Sequence, residues 1–282
     1  MRIFFLTTVA MAAFAANSIL TRMAVEPGHI DPAGFALLRV AAGAAVLASL
    51  VALRGERLPL FRRERIAGAL SLALYMIGFS LAYLTLDAGL GALILFGVVQ
   101  MAMFGHGALA GTPPTGRQMT GALVAFSGLM LVLRPAEGGG TDLAGAGLMG
   151  LAGLGWAAYT IIGRDAGNPL AVTAANFLLC LPVMLILPLL SGATFSATGV
   201  MLAALSGGVT SGLGYALWYG VLKHIDGGTA AVAQLSVPII AILGGVLMLG
   251  EPVSGTLLLA TGLVLGGIFW ALSARSVPAD HR

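Results

Sequence analysis

Ten apolar stretches take up almost the whole of this chain, and they constrain its fold more than any other feature. They run over residues 3–24, 33–53, 66–86, 88–110, 117–134, 143–163, 169–190, 197–221, 226–249 and 253–273. Most reach the roughly 17–25 residues that a helix needs to cross a bilayer. In hydrocarbon each backbone N–H and C=O must be satisfied within the protein, which a helix does by itself. Of the 282 residues, 59% are hydrophobic and only 9% are charged, with a mean hydropathy of +1.00. A soluble domain carries about 25% charged residues. The expected class is therefore an all-α integral membrane protein. The linkers are short and marked by Gly, Pro or charge: Glu26-Pro27-Gly28, Thr112-Pro113-Pro114, Gly138-Gly139-Gly140 and Gly167-Asn168-Pro169. The gap at Asp87 is so tight that the third and fourth spans are expected to form a hairpin.

The two halves repeat each other at a shift of about 137 residues. Pro32 with Arg39 meets Pro169 with Asn176, and Tyr83, two helical turns from Tyr75, meets Tyr219, one turn from Tyr215. Gly89 to Ala92 meets Gly227 to Ala230, and Pro113-Pro114 meets Glu251-Pro252. The expected organisation is a five-helix repeat over 1–138 and a second over 139–282, together one membrane domain. Five spans per half give the copies opposite orientations, a pattern found in transporters that alternate access. Ala13-Phe14-Ala15 after an apolar run resembles a signal-peptide cleavage site. The counterpart of the first span at 143–163 argues that the span is retained.

Basic residues set the orientation. With the N-terminus inside, Arg2, Arg54, Arg57, Arg62, Arg63, Arg65, Arg117, Arg164, Lys223, Arg275 and Arg282 are cytoplasmic. Only Arg22 and Arg134 are then outside, and Arg39 lies within a span. Positive residues favour the cytoplasmic side, so both termini are expected inside, in a bacterial-type inner membrane. A net charge of +3 and a pI near 9.4 do not signal nucleic acid, because the basic residues sit in short loops between apolar runs. Cys180 is the single cysteine, which excludes an internal disulfide and cysteine-based metal clusters and leaves a small packing residue.

The run Ala230-Ala231-Val232-Ala233-Gln234-Leu235-Ser236-Val237-Pro238, followed by Gly244-Gly245 and Gly250-Glu251-Pro252, resembles the EamA-type branch of the drug/metabolite transporter superfamily. Tyr219 to His224 with Ile225-Asp226, which lead into the ninth helix, extend the resemblance. It covers nearly the whole chain. It implies export of metabolites or amino acids through a cavity between the repeats. The first half departs from the pattern: Gln100 stands where the second half has Pro238, and Thr112-Pro113 replaces Gly250-Glu251.

Candidate substrate-binding residues are Asn17, Arg39, Tyr75, Phe79, Gln100, Trp156, Tyr159, Tyr215, Trp218 and Gln234. Tyr75, Phe79 and Tyr83 fall at i, i+4 and i+8 and so share one face of the third span. Tyr215, Trp218 and Tyr219 form a comparable face on the eighth. Each of these aromatics also fits ordinary packing or an interfacial belt. The amides of Asn17, Gln100, Asn176 and Gln234 need partners in lipid, from a neighbouring helix or from a wet cavity. Arg39 has two readings, a structural or snorkelling side chain and an anchor for a substrate carboxylate. One arginine is too few for a phosphorylated substrate.

Candidate gating residues are His106, Pro182 and Pro238, the first as a titratable group and the prolines as kinks. Gly107 with Gly111, Gly208 with Gly212 and Gly262 with Gly266 are small residues four apart that allow close helix approach. No carboxylate lies at mid-span, which favours facilitated export over ion coupling. Glu251 reads as a local cap or ion-pair partner. The expected partners are a small-molecule substrate and the bilayer, with no nucleic acid, no metal and no cofactor, and with the monomer as functional unit. No catalytic constellation appears, so an enzyme is not expected. The leading expectation is an exporter of amino acids, aromatic or otherwise apolar, working by alternating access. The alternative is a multidrug exporter of lipophilic cations, which would favour a buried carboxylate. A non-transporting receptor or scaffold would need a signalling domain or a long tail.

Overall fold

The computed structural model describes residues 1–111, 114–134, 141–163, 167–192, 194–225 and 227–273. Pro113, Arg164, Asp226, the expected repeat boundary at 138/139 and the tail from 274 lie outside them. The described residues form ten spans. They are α1 (Arg2–Val25), α2 (Pro32–Leu53), α3 (Arg63–Ala82), α4 (Ala88–Leu109), α5 (Gly116–Val132), α6 (Leu143–Gly163), α7 (Pro169–Ser191), α8 (Ala197–Leu222), α9 and α10 (Gly255–Leu272). α9 consists of Gly227–Gln234, Ser236–Gly244 and a π-helical end, Gly245–Leu249. Among the described residues nine spans are long and apolar enough to cross a membrane. The remaining one, α5, has 17 residues, or about 25 Å at 1.5 Å per residue.

Several helix starts are capped by side chains, which satisfies backbone amides that the helix itself leaves free. Asp31 accepts from the Gly34 amide at 2.9 Å and Asn168 from the Ala171 amide at 3.2 Å, each followed by a proline in the first turn. These matching caps also tie loops together at opposite ends of the bundle. Asp31 accepts from the Thr194 amide at 3.0 Å, and Asn168 donates to Glu56 at 2.6 Å. Thr115 and Gln118 form a capping box on α5. Pro238 has no N–H for the Gln234 carbonyl, and α9 is interrupted at Leu235 just before it. α7 runs unbroken through both Pro182 and Pro188.

The principal packing pairs are α1 with α8 and α9, α2 with α7 and α8, α3 with α6 and α7, α4 with α6 and α9, and α5 with α10. Exchanging each helix with the one five places away returns the same pairs. The expected α3–α4 hairpin does not form a packed pair: α4 leaves the turn to pack on α6 and α9, and α6 lies along both α3 and α4. Glycines on α6 explain this. A Cβ on Gly155 would stand 2.8 Å from the Tyr75 nitrogen of α3, and one on Gly153 would stand 3.0 Å from Val98 of α4.

Glycine also brings α5 and α10 together, but not at the expected positions. A Cβ on Gly121 would be 2.5 Å from the Gly267 carbonyl, and one on Gly267 would be 2.6 Å from the Gly121 carbonyl. Gly262 and Gly266 face open space, while Gly212 packs on Val46 of α2. Four-residue spacing gives a stripe, but only the rotation of the helix decides which glycine meets the neighbour. Replacing Gly267 with leucine is expected to force α5 from α10 and cost about 2 kcal/mol or more. Gly266→Leu next to it should change stability by less than about 0.5 kcal/mol. Thermal unfolding in detergent compares the two, and equal losses would remove the packing assignment.

Candidate functional site

Two adjoining cavities lie between the spans. The larger is about 370 Å³ and is lined from α4, α6, α8 and α9, with Pro169 at the start of α7. Its polar walls are Gln100, Tyr159, Thr160, Tyr219, Gln234 and Lys223, and Trp156, Tyr215 and Trp218 make up much of the rest. Lys223 and Gly163 place its mouth at the end of the bundle where α6 and α8 finish. The smaller is a void of about 20 Å³ bounded by Phe14, Asn17, Ser18, Tyr75, Phe79, Leu95, Phe96, Trp156 and Tyr215. Trp156 and Tyr215 border both, so the path narrows here from an open cavity to a near-closed core.

Aromatic rings make the constriction. Phe14 meets Tyr215 edge-on at 5.6 Å and Trp218 at 6.0 Å. Trp156 is 5.1 Å from Tyr75 and 5.3 Å from Tyr215, and stacks on Tyr159 at 5.6 Å. Tyr75 leads to Phe79 at 5.3 Å, and Phe79 to Tyr83 at 4.8 Å. Offset and edge-to-face contacts of this kind add to the gain from area burial alone. Trp156 of α6 therefore bridges Tyr75 of the α3 face and Tyr215 of the α8 face.

Arg39 stands behind this cluster and is fully buried. Its Nη2 donates to the Tyr75 hydroxyl at 3.0 Å and its Nε to Ser211 Oγ at 3.1 Å. The guanidinium carbon lies 4.9 Å from the Phe79 ring centroid and 5.4 Å from that of Tyr75. Nη1 has no hydrogen-bond partner among the described residues. No ion pair to Arg39 occurs among the described residues. The cation is thus held by hydroxyls and ring faces, without a carboxylate. Ser211 passes the network on to Asn17, whose Oδ1 accepts from Ser206 at 2.8 Å, Thr210 at 2.5 Å and Ser211 at 3.3 Å.

These three hydroxyls reach one amide oxygen because Leu205–Leu213 of α8 is π-helical. Bonding from i to i+5 widens the turn, so residues four and five apart face the same way. Such segments are frequent at functional sites. Gly207 allows this, since a Cβ there would run into the Arg39 carbonyl. Sequence reasoning had Asn17 and Arg39 but not Ser206, Thr210 and Ser211. Their signal was a run of small polar residues, Ser206 to Gly212, inside an otherwise apolar span.

Of the substrate-binding candidates, Gln100, Trp156, Tyr159, Tyr215, Trp218 and Gln234 line the larger cavity, Asn17, Tyr75 and Phe79 join Trp156 and Tyr215 around the smaller, and Arg39 lines neither but is bonded to Tyr75. The gating candidates are dispersed. Pro238 is buried at the break in α9, His106 is exposed near the end of α4, and Pro182 is exposed on α7. Asn176 lies apart from the lining, with its side chain against Gly68 of α3.

The end opposite the mouth is closed by charged groups. Glu251, expected to cap or pair locally, reaches 163 residues back and accepts from the Ala88 amide at 2.9 and 3.0 Å. The correction has a geometric cause: Gly250, at φ +67°, turns the chain out of α9 toward the start of α4. Burial pushes the Glu251 carboxyl above its ordinary value, against the opposing pull of the Ala88 amide and Arg22. In the same region Asp142 accepts from Thr85 at 2.7 Å and from the Gly145 amide, which together hold its carboxyl below its usual value.

A buried cation without a counter-ion costs stability. Arg39→Met, of similar length and apolar, is therefore expected to raise the unfolding midpoint in detergent, by about 1 kcal/mol or more in stability. A clear fall would show that the Tyr75 and Ser211 bonds repay the desolvation.

A model of the EamA-like transporter family matches residues 143–273. A protein of Pseudomonas aeruginosa described as uncharacterised is 44% identical over 276 residues, covering 97% of this chain and 96% of the relative. A protein of Archaeoglobus fulgidus described as an uncharacterised transporter is 23% identical over 262 residues, covering 87% of this chain and 90% of the relative. A solved crystal structure superposes with a TM-score of 0.71 at 19% identity, over 98% of this chain and 99% of that one, a likeness of fold.

Proposed function

Because the chain belongs to the EamA-like transporter family, we propose that it exports amino acids with apolar or aromatic side chains across the inner membrane by alternating access. The observation that carries this reading is the composition of the path. An aromatic cavity with amide groups narrows at Trp156 and Tyr215 to a void walled by Tyr75, whose hydroxyl is bonded to the fully buried Arg39. Among the described residues this guanidinium has no carboxylate partner and no acceptor for Nη1. Such walls suit a partly apolar body, and a desolvated arginine favours a carboxylate. A phosphate ester would call for more cations than this. A lipophilic cation meets uncompensated positive charge, which argues against multidrug export.

The mechanism follows from the two ends of the path. In this conformation the cavity is open beside Lys223 and closed beyond Phe14, Tyr75 and Phe79. A substrate enters at the open mouth, its side chain among Trp156, Tyr215 and Trp218, and its carboxylate directed toward the Arg39–Tyr75 pair. Opening of the far end then requires the aromatic constriction to part. Two inverted repeats over 1–138 and 139–282 supply the motion, and the exchange of packing pairs between helices five apart supports that organisation. The basic-residue bias puts both termini and the open mouth on the cytoplasmic side. Acidic residues stay in loops and near span ends, which supports facilitated export over ion-coupled pumping.

Counterflow in proteoliposomes tests the proposal. Vesicles loaded with leucine or phenylalanine should accumulate the labelled amino acid well above protein-free vesicles. Arg39→Gln should lower that exchange by about tenfold or more, the worth of a charge-assisted hydrogen bond. No exchange above empty vesicles, or exchange of a lipophilic cation alone, would overturn the reading.

A further inference from the structure

Arg22, near the end of α1, is the hub of the closed end. Its Nη1 donates to the carbonyls of Tyr83 at 3.0 Å and Leu84 at 3.1 Å, in the turn after α3. Its Nε lies 3.7 Å from Glu251, and its Nη2 lies 3.7 Å from Asp87 and 4.0 Å from Glu26. Glu251 in turn caps the start of α4 through the Ala88 amide. Two ion pairs, from Arg22 to Glu251 and to Asp87, and a few hydrogen bonds therefore join α1, the α3–α4 turn and the α9–α10 turn. All three must separate for this end to open.

The contacts differ in weight. The Arg22 and Glu251 side chains are 15% and 10% exposed, whereas Asp87 and Glu26 are 38% and 50% exposed. Salt screens the shielded pair least, and the rim pairs contribute little. The carboxylate at the start of α4 also meets the positive end of the helix dipole. Tyr83 connects the charged layer to the plug. Its ring packs edge-on against Phe79, and its hydroxyl donates to the Ala88 carbonyl at 3.3 Å.

The other end is built differently. Aligning the halves sets Pro113 in the place of Glu251 and Gly227 in the place of Gly89. A proline side chain has no acceptor for the amides at the start of α9. In the alignment the Glu251 carboxylate has no counterpart in the first half, and the cavity opens at the end opposite Glu251.

We infer that Glu251, Arg22 and the Ala88 amide form the latch of the exit gate, and that this latch makes the cavity rest open at its Lys223 end. The inference builds on the transport reading, but its test reads accessibility and not transport. Alanine replaces Cys180, the single cysteine, and Ser18→Cys then places a thiol in the void behind the plug. A membrane-impermeant sulfonated maleimide is applied to oriented vesicles from the Arg22 side.

With the latch intact, labelling at position 18 should be slow. Glu251→Ala should raise the rate about tenfold or more, the worth of charge-assisted bonds to a shielded carboxylate. Glu251→Gln keeps an acceptor for the Ala88 amide and loses the ion pair, so it should fall in between. Arg22→Ala should resemble Glu251→Ala, and Arg22→Lys should restore most of the slow labelling. In parallel, Gln234→Cys in the open cavity should react from the opposite side in every background, which reports on folding. If position 18 labels at one rate in all variants while Gln234→Cys still reacts, the latch is overturned. Faster labelling without amino-acid exchange would uphold the latch and sink the substrate assignment.

Discussion

A charged guanidinium in the middle of a membrane bundle needs either a counter-ion or enough dipoles to replace water. Among the described residues Arg39 meets dipoles alone: two hydroxyls and two ring faces hold it, and Nη1 has no acceptor. Much of the surrounding structure meets that need. The π-helical segment of α8 presents Ser211, Asn17 of α1 orients that serine along with Ser206 and Thr210, and Gly207 lets α8 approach the α2 backbone. Four helices, α1, α2, α3 and α8, are registered against one another by a single cation. Tyr75 then carries the constraint into the path, because its hydroxyl is committed to Arg39 while its ring forms the constriction.

Symmetry and its breach divide the work. The pairing of helices repeats when each is exchanged with the one five places away, and even the loop ties match, Asp31 to Thr194 at one end and Asn168 to Glu56 at the other. A scaffold of that kind has no built-in preference for either end. The preference has to come from residues that the repeat does not duplicate. Arg39 faces Asn176 in the alignment, Gln100 faces Pro238, and Pro113 faces Glu251. The first difference sets a buried guanidinium in one half against an amide in the other. The second breaks α9 but leaves α4 continuous. The third joins the α9–α10 turn to the start of α4 through Glu251.

Much of this architecture was legible in the chain itself. The span expected at 143–163 is α6, Leu143–Gly163, and that expected at 88–110 is α4, Ala88–Leu109. The aromatic faces of α3 and α8 were also readable, since helical periodicity alone puts Tyr75, Phe79 and Tyr83 on one side. The rotation of each helix was harder to read. In water an apolar stripe shows which face is inward, but lipid is as apolar as the bundle core, and the contrast disappears. That is why the glycine stripe Gly262–Gly266 looked like an interface when its neighbour Gly267 is the one in contact. It is also why the hairpin expected at Asp87 opened to admit α6.

Composition, span length and charge bias by themselves determined an all-α membrane protein of ten helices and a short set of polar side chains that needed partners in lipid. Those follow from the cost of exposing backbone and charge to hydrocarbon, a cost paid residue by residue and so visible in the sequence. Only the tertiary structure decided which partners they found. Arg39 meets Ser211 across 172 positions, and Glu251 meets Ala88 across 163. Separations of that size depend on how the helices pack, and in this protein packing turns on single glycines and one widened helical turn.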